Sequence, residues 1–146
     1  MNAHSLESNK QINGVILRKL ETLDTTLSDV RSLDEVSVEQ LESDWRTRRA
    51  IERSLQVMVE IVLDICQRII SVAGQSPAST GTEAVQRCIQ LGALSDFRPY
   101  RQTIQFRNFI VHRYERVDTA ILVDMVNRHL PDFERFRDEI LAYVRG

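Results

Sequence analysis

The sequence predicts an all-α domain, an antiparallel up-and-down bundle of four main helices plus one short helix. Three observations predict it. Apolar residues recur at three- and four-residue steps along most of the chain. Five glycines and three prolines in 146 residues favour long regular elements over a turn-rich β architecture. No segment carries a convincing strand pattern, and there is no internal repeat or low-complexity tract. The length suits a single domain, residues 1–146, with a core large enough to need no staples. Polar residues 1–8 are expected to be disordered or irregular.

The first helix is expected from about Asn9 to Ser32, where Ile12, Ile16, Leu20, Leu23 and Leu27 form one stripe. Leu33 to Glu42 are acidic and weakly patterned, a connector with room for a short helical turn. The second helix, from Leu41 or Asp44 to Ala73, carries the strongest signal. Ile51, Leu55, Met58, Val62, Ile65, Cys66, Ile69 and Ala73 share one face, and Val57, Val59, Leu63 and Ile70 widen it. So broad an apolar girth implies two partners, the chain's own core and a second subunit. Gly74 is placed to end this helix in a left-handed conformation. A polar loop, 75–82, then leads to Thr82 as N-cap of a short helix, Ala84 to Leu91, closed by Gly92. Ser95 or Asp96 opens the next helix with Pro99 in its first turn. Tyr100, Ile104, Phe106, Phe109 and Ile110 form its apolar side. Asp118 caps a last helix in which Leu122, Met125, Val126, His129, Phe133, Phe136, Ile140 and Val144 recur, and Pro131 should kink or split it.

Composition narrows the function classes. No apolar run approaches the ~20 residues that span a bilayer, and Met1 to Lys10 lack the apolar stretch of a signal peptide. Cys66 and Cys88 sit among apolar neighbours and read as reduced core residues, which with the preceding points predicts a cytoplasmic protein. The net charge of −2 conceals a gradient. Residues 1–44 carry four basic and nine acidic side chains, a net of −5. Residues 97–117 carry Arg98, Arg101, Arg107, Arg113 and Arg116 against Glu115, a net of +4. Arginine presents a planar fork of donors that suits phosphate oxygens, so this is where a polyanion would be drawn. A solvated helix face is the plainer explanation of the same charges.

The string Phe106-Arg-Asn-Phe-Ile-Val-His-Arg-Tyr-Glu-Arg-Val-Asp118 holds the candidate chemistry. Asn108 and His112 are four apart, about 40° round a helix, and so are neighbours. Arg107 and Tyr114 are seven apart, in line. Arg107 and His112 are about 140° apart on an ideal helix. They converge only if the arginine reaches round, the helix loosens after His112, or the opposite chain of a dimer supplies one of them. Histidine exchanges protons near neutrality, and arginine stays cationic beside a phosphorane. These roles suffice for RNA cleavage without a metal. Spacing alone is weak evidence, since a helical histidine beside apolar residues is more often a packed core residue.

The string resembles the Arg-x4-His-x-Tyr motif of HepT-like ribonuclease toxins in the HEPN superfamily of helical domains. The resemblance extends over roughly residues 10–145: a long second helix, a polar loop, a short helix near Leu91-Gly92, the motif helix, and a last amphipathic helix after Val117-Asp118. It implies a HEPN-like fold and the toxin of a type VII toxin–antitoxin pair, an endoribonuclease acting through the 2′-hydroxyl. Arg107 and His112 match the catalytic pair, and Asn108 the polar residue that orients them. Tyr114 matches the tyrosine AMPylated by an MntA-like nucleotidyltransferase antitoxin, a change that sets phosphate charge and bulk near the catalytic cation. Its plainer role is an interfacial tyrosine with a buried ring. The implied partners are RNA, that antitoxin and a second copy of the chain, with no membrane. Arg98, Arg101, Arg113 and Arg116 are candidate RNA contacts.

Other residues offer less. Glu60 and Asp64, four apart, either face these arginines or form a solvated carboxylate pair, and no spacing suggests a metal or cofactor site. Arg46, Arg48, Arg49 and Arg53 open the second helix as RNA guides, contacts for an acidic antitoxin, or solvated charges. His129 reads as a core-edge residue, His4 as disordered, and Trp45 has no assigned role. A second reading is a non-catalytic HEPN subunit that binds nucleotide or substrate for a nucleotidyltransferase.

Overall fold

The computed structural model describes the backbone of residues 3–111 and 118–146 and the side chains of 13–109 and 118–146. Among these residues the helices are α1 (Ala3–Arg31), α2 (Val38–Ser43), α3 (Trp45–Val72), α4 (Gly81–Gln90), α5 (Arg101–Val111), α6 (Thr119–Arg128) and α7 (Leu130–Arg145). A 3-10 turn, Arg98–Tyr100, precedes α5. The described residues contain no strand, so the all-α class read from periodicity is the class observed.

The core gathers around α3, which packs against each of the other six helices. Ile51, Leu55, Met58, Val59, Val62, Ile65, Cys66 and Ile70 are all buried, and Val57 and Leu63 pack against the core from its edge. A helix covered from most sides must be apolar on most sides. The girth of α3 is therefore consumed within the chain, and it does not call for a second subunit as the sequence reading supposed.

Helix ends follow local chemistry. Asp44 caps α3 by accepting from the backbone N–H and hydroxyl of Thr47. At the other end Gly74 has φ 78°, and the N–H groups of Gln75 and Gly74 bond to the carbonyls of Ile70 and Ser71. Gly92 closes α4 the same way, with φ 84° and Ala93 N–H bonded to Cys88 O. Both glycine stops were expected.

Three boundaries differ from expectation, and the break expected near Pro131 is present. The helix α1 starts at Ala3, not Asn9, and takes in the stretch expected to be irregular, including the backbone of His4. Polar residues of fair helix propensity continue a helix beyond its packed stripe. The connector contains a true helix, α2, capped by the Ser37 hydroxyl and anchored by buried Leu41. The cap of α4 is Thr80, not Thr82: its hydroxyl accepts from Glu83 N–H, while the Glu83 carboxylate accepts from Ser79 N–H at 2.6 Å. Thr80 and Glu83 have the three-residue spacing that such a reciprocal cap needs. The last helix is split at His129, so α7 begins with Leu130-Pro131, where a missing N–H costs nothing.

Two side-chain amides hold connectors in place. Asn127 donates to Val36 O and accepts from Val36 N–H, at 2.9 and 3.0 Å, tying the α1–α2 connector to α6. Gln67 does the same for Ala78, with both bonds 2.9 Å, and fixes the loop before α4 against α3.

Candidate active site

The helix that carries Arg107 is aimed by its first turn. Buried Tyr100 meets Phe136 of α7 edge-on, ring centres 5.8 Å apart, and donates its hydroxyl to Glu139 at 2.5 Å. Burial first, and then the carboxylate beside it, push the Tyr100 phenol well above its usual range, so it stays a donor. Thr103, Ile104 and Phe106 are buried, which fixes the rotation of α5. Arg107 is then half-buried, and Asn108 and Phe109 face outward. Phe109 was expected in the core but is 47% exposed, because it lies on the face opposite Ile104 and Arg107. His112, Arg113, Tyr114 and Arg116 lie outside the described residues, as does the Arg107–His112 convergence.

Arg107 and Asn108 line an open groove of about 430 Å³ together with Glu60, Asp64 and Gln67 of α3 and with Ser79 and Thr80 before α4. Gln67 shapes this groove through its grip on Ala78. Gln67→Ala is expected to cost about 1–3 kcal/mol, because both polar groups of a part-buried Ala78 lose their partner. Chemical denaturation, with limited proteolysis at residues 74–80, measures it.

The carboxylates on the opposite wall do not capture Arg107. Asp64 pairs with Lys19 at 2.7 Å and with Arg68 at 3.2 Å. Burial works to raise its pKa, but the hydrogen bonds and charges of Lys19 and Arg68 outweigh it and hold the carboxyl below its ordinary range. Glu60 accepts only a long bond from Gln56, at 3.4 Å. No carboxylate among the described residues lies within 4.0 Å of the Arg107 guanidinium. Its charge is therefore open to an incoming anion, in a part-sheltered setting where a cation acts more strongly than in bulk water. The pair Glu60 and Asp64 thus shares a groove with the arginine without being bonded to it.

The remaining candidates divide. Arg98 is tied to Asp96 at 2.9 Å and stands outside the groove, whereas Arg101 is exposed and lies two turns from Asn108 on the same face of α5. Arg48 is buried, with its Nε donating to Thr119 at 3.2 Å and Glu52 3.9 Å away, so it joins α3 to α6 and is neither a solvated charge nor a guide. Only its aliphatic neighbours on α3 could have hinted at this. Arg46, Arg49 and Arg53 are exposed. His129, read from sequence as a core-edge residue, is part-buried and bridges Asp124 and Asp132, both at 3.1 Å, at the α6–α7 joint. Cys66 and Cys88 are free and buried. The contact with Cys88 and then burial keep the Cys66 thiol well above its usual pKa, as an inert core residue.

Comparison with known proteins gives this geometry its setting. A model of the family described as "Ribonuclease HepT-like" matches residues 6–140. The chain is 26% identical over 136 residues to the mRNA nuclease HepT of Shewanella oneidensis, covering 90% of this chain and 99% of that one. Its fold is similar to that of a tri-AMPylated HEPN toxin of Shewanella oneidensis in complex with an MNT antitoxin, with a TM-score of 0.75 at 22% identity. That match covers 88% of this chain and 97% of the other. A toxin–antitoxin structure with AMP-PNP matches with a TM-score of 0.76 at 21% identity, covering 88% and 98%. No helix among the described residues is long and apolar enough to cross a membrane. The all-helical fold and a family match over nearly the whole chain agree: this protein belongs to the HepT-like ribonuclease family.

Proposed function

We propose that the chain is a cytoplasmic toxin that cleaves RNA without a metal, at a site made by Arg107 and His112 and oriented by Asn108. His112 removes the proton of a 2′-hydroxyl, and the freed oxygen attacks the adjacent phosphorus. The bond from phosphorus to the 5′-oxygen breaks, and that oxygen takes up a proton. The products are a 2′,3′-cyclic phosphate and a 5′-hydroxyl. Arg107 neutralises the charge that gathers on the phosphoryl oxygens. The observation that carries this reading is the guanidinium of Arg107, without an ion pair among the described residues, in a groove wide enough for a nucleotide. Arg113 and Arg116 add positive charge in sequence beside the pair, and Arg101 stands in line with Asn108. A second copy of the chain is the partner we assign to exposed Phe109 and the apolar groove of about 320 Å³ beside it, between α5 and α6. Such a homodimer also supplies the cross-chain meeting of Arg107 and His112 that one helix disfavours.

Incubation of the purified protein with labelled RNA in excess chelator tests the reading. Cleavage leaving cyclic-phosphate ends is expected. Binding without cleavage would instead favour a non-catalytic HEPN subunit that holds nucleotide or substrate for a nucleotidyltransferase.

The same reading makes Tyr114 the acceptor of adenylate from an MntA-like nucleotidyltransferase antitoxin. The Shewanella relative in an AMPylated complex supports this. Co-expression with such a partner is expected to raise the intact mass by one or more adenylates, and Tyr114→Phe to abolish the increase. An unchanged mass gain in that variant removes Tyr114 from the role.

A further inference from the structure

We propose that the exposed face of α3 is a track for single-stranded RNA leading to the Arg107 groove, with Trp45 as a stacking platform and Arg46, Arg49 and Arg53 as phosphate contacts. The proposal rests on the ribonuclease reading for the identity of the polyanion. At 100° per residue, Trp45, Arg46, Arg49, Arg53 and Glu60 fall within a sector of about 100° on α3. Glu60 lines the groove with Arg107. The arginines thus stand on the same face as that wall, over a rise of about 21 Å from Arg46 to Glu60.

The side chains are also unoccupied. Several other surface arginines are engaged: Arg31 with Glu134, Arg87 with Glu83, Arg137 with Asp24. Among the described residues Arg49 and Arg53 have no ion pair, and Arg46 meets only the ring of Trp45, at 5.5 Å. Of the acidic groups close by, Glu52 stands 3.9 Å from Arg48, and Asp44 caps α3 through Thr47. Residues 45–56 carry Arg46, Arg48, Arg49 and Arg53 against Glu52, a net of +3 in a chain whose total is −2.

Trp45 decides between polyanions. It is 63% exposed and contributes nothing to the core. An acidic protein would need only the charges, whereas unstacked bases gain from an open aromatic face beside arginine planes.

Because Trp45 is the only tryptophan, its fluorescence reports directly on stacking. The full chain carrying His112→Ala, which keeps RNA intact, is titrated with a twelve-residue oligouridylate and, separately, with oligoglutamate. RNA is expected to quench Trp45. Trp45→Ala, read by anisotropy of labelled RNA, should weaken binding about tenfold or more, and Trp45→Phe should restore most of it. Arg49→Gln with Arg53→Gln should weaken binding at low salt and lower the slope of log K against log salt by about 1.4, at ~0.7 per phosphate. RNA binding with no quench, an unchanged slope in the double variant, or equal quenching by oligoglutamate overturns the track. RNA cleavage by the wild-type chain is scored separately, so loss of the nuclease reading and loss of the track are distinguishable results.

Discussion

Replacing His112 or Arg107 by alanine is expected to lower the rate of RNA cleavage by about 10²–10⁴-fold while leaving the fold intact. The two losses have different origins. General acid–base help contributes roughly 10²–10⁴-fold, and one preorganised donor aimed at developing charge about 10²–10³-fold. Arg107→Lys keeps the charge but loses the fork that meets two phosphoryl oxygens, so it should fall between wild type and alanine. The stability control is favourable for Arg107. It is half-buried and makes no ion pair among the described residues, so its removal should shift unfolding by no more than about 0.5 kcal/mol. Initial rates on labelled RNA, with thermal melts alongside, measure both quantities. Cleavage within twofold of wild type in either alanine variant would sink the assignment.

The fold was legible where a single local rule decides. Gly74 and Gly92 each follow an apolar helix and take positive φ, as the stop signal requires. The stripe Ile16, Leu20, Leu23 and Leu27 is buried as its period demands. Legibility failed where a pattern has two physical causes. The girth of α3 fits a dimer face and a central helix equally well, and only the positions of the other six helices choose between them. Phe109 continues an apolar series, but the rotation of α5 is set by Tyr100, Thr103 and Phe106, and that rotation turns Phe109 outward.

The site divides in the same way. Arg107 and Asn108 were singled out from their motif, and they line one open groove with Glu60 and Asp64. The pairing of Asp64 with Lys19 is a contact between residues far apart in sequence, and no spacing encodes it. Arg48 was equally hidden. It sits among three other arginines in sequence, yet it alone turns inward, since it is 100° from Arg49 and faces Thr119. Neighbouring charges of one type thus have opposite fates according to which side of α3 they occupy. The exposed three remain available to a ligand, and the buried one holds the helices in place.

Phe136→Ala is expected to cause the largest loss of stability of any single change considered, about 3–5 kcal/mol. Phe136 is fully buried, and its truncation opens a cavity at the meeting of α7 with the turn that begins α5. Part of the loss is the edge-to-face contact with Tyr100, a geometry that contributes about 0.5–1.5 kcal/mol beyond burial. Against a total stability of roughly 5–15 kcal/mol for a domain, this is a large fraction. Phe136→Leu fills most of the space and should cost less, which separates cavity formation from loss of the aromatic pair. Urea denaturation measures both, with an unchanged m-value as the sign that the unfolded reference has not moved. The consequence reaches the candidate site, because Tyr100 sets the start of α5 and α5 presents Arg107. Cleavage by the alanine variant should therefore fall even at temperatures where it remains folded, and more than in the leucine variant. A loss of stability below about 1 kcal/mol, or full activity in a destabilised Phe136→Ala protein, would show that α5 holds Arg107 in place without this anchor.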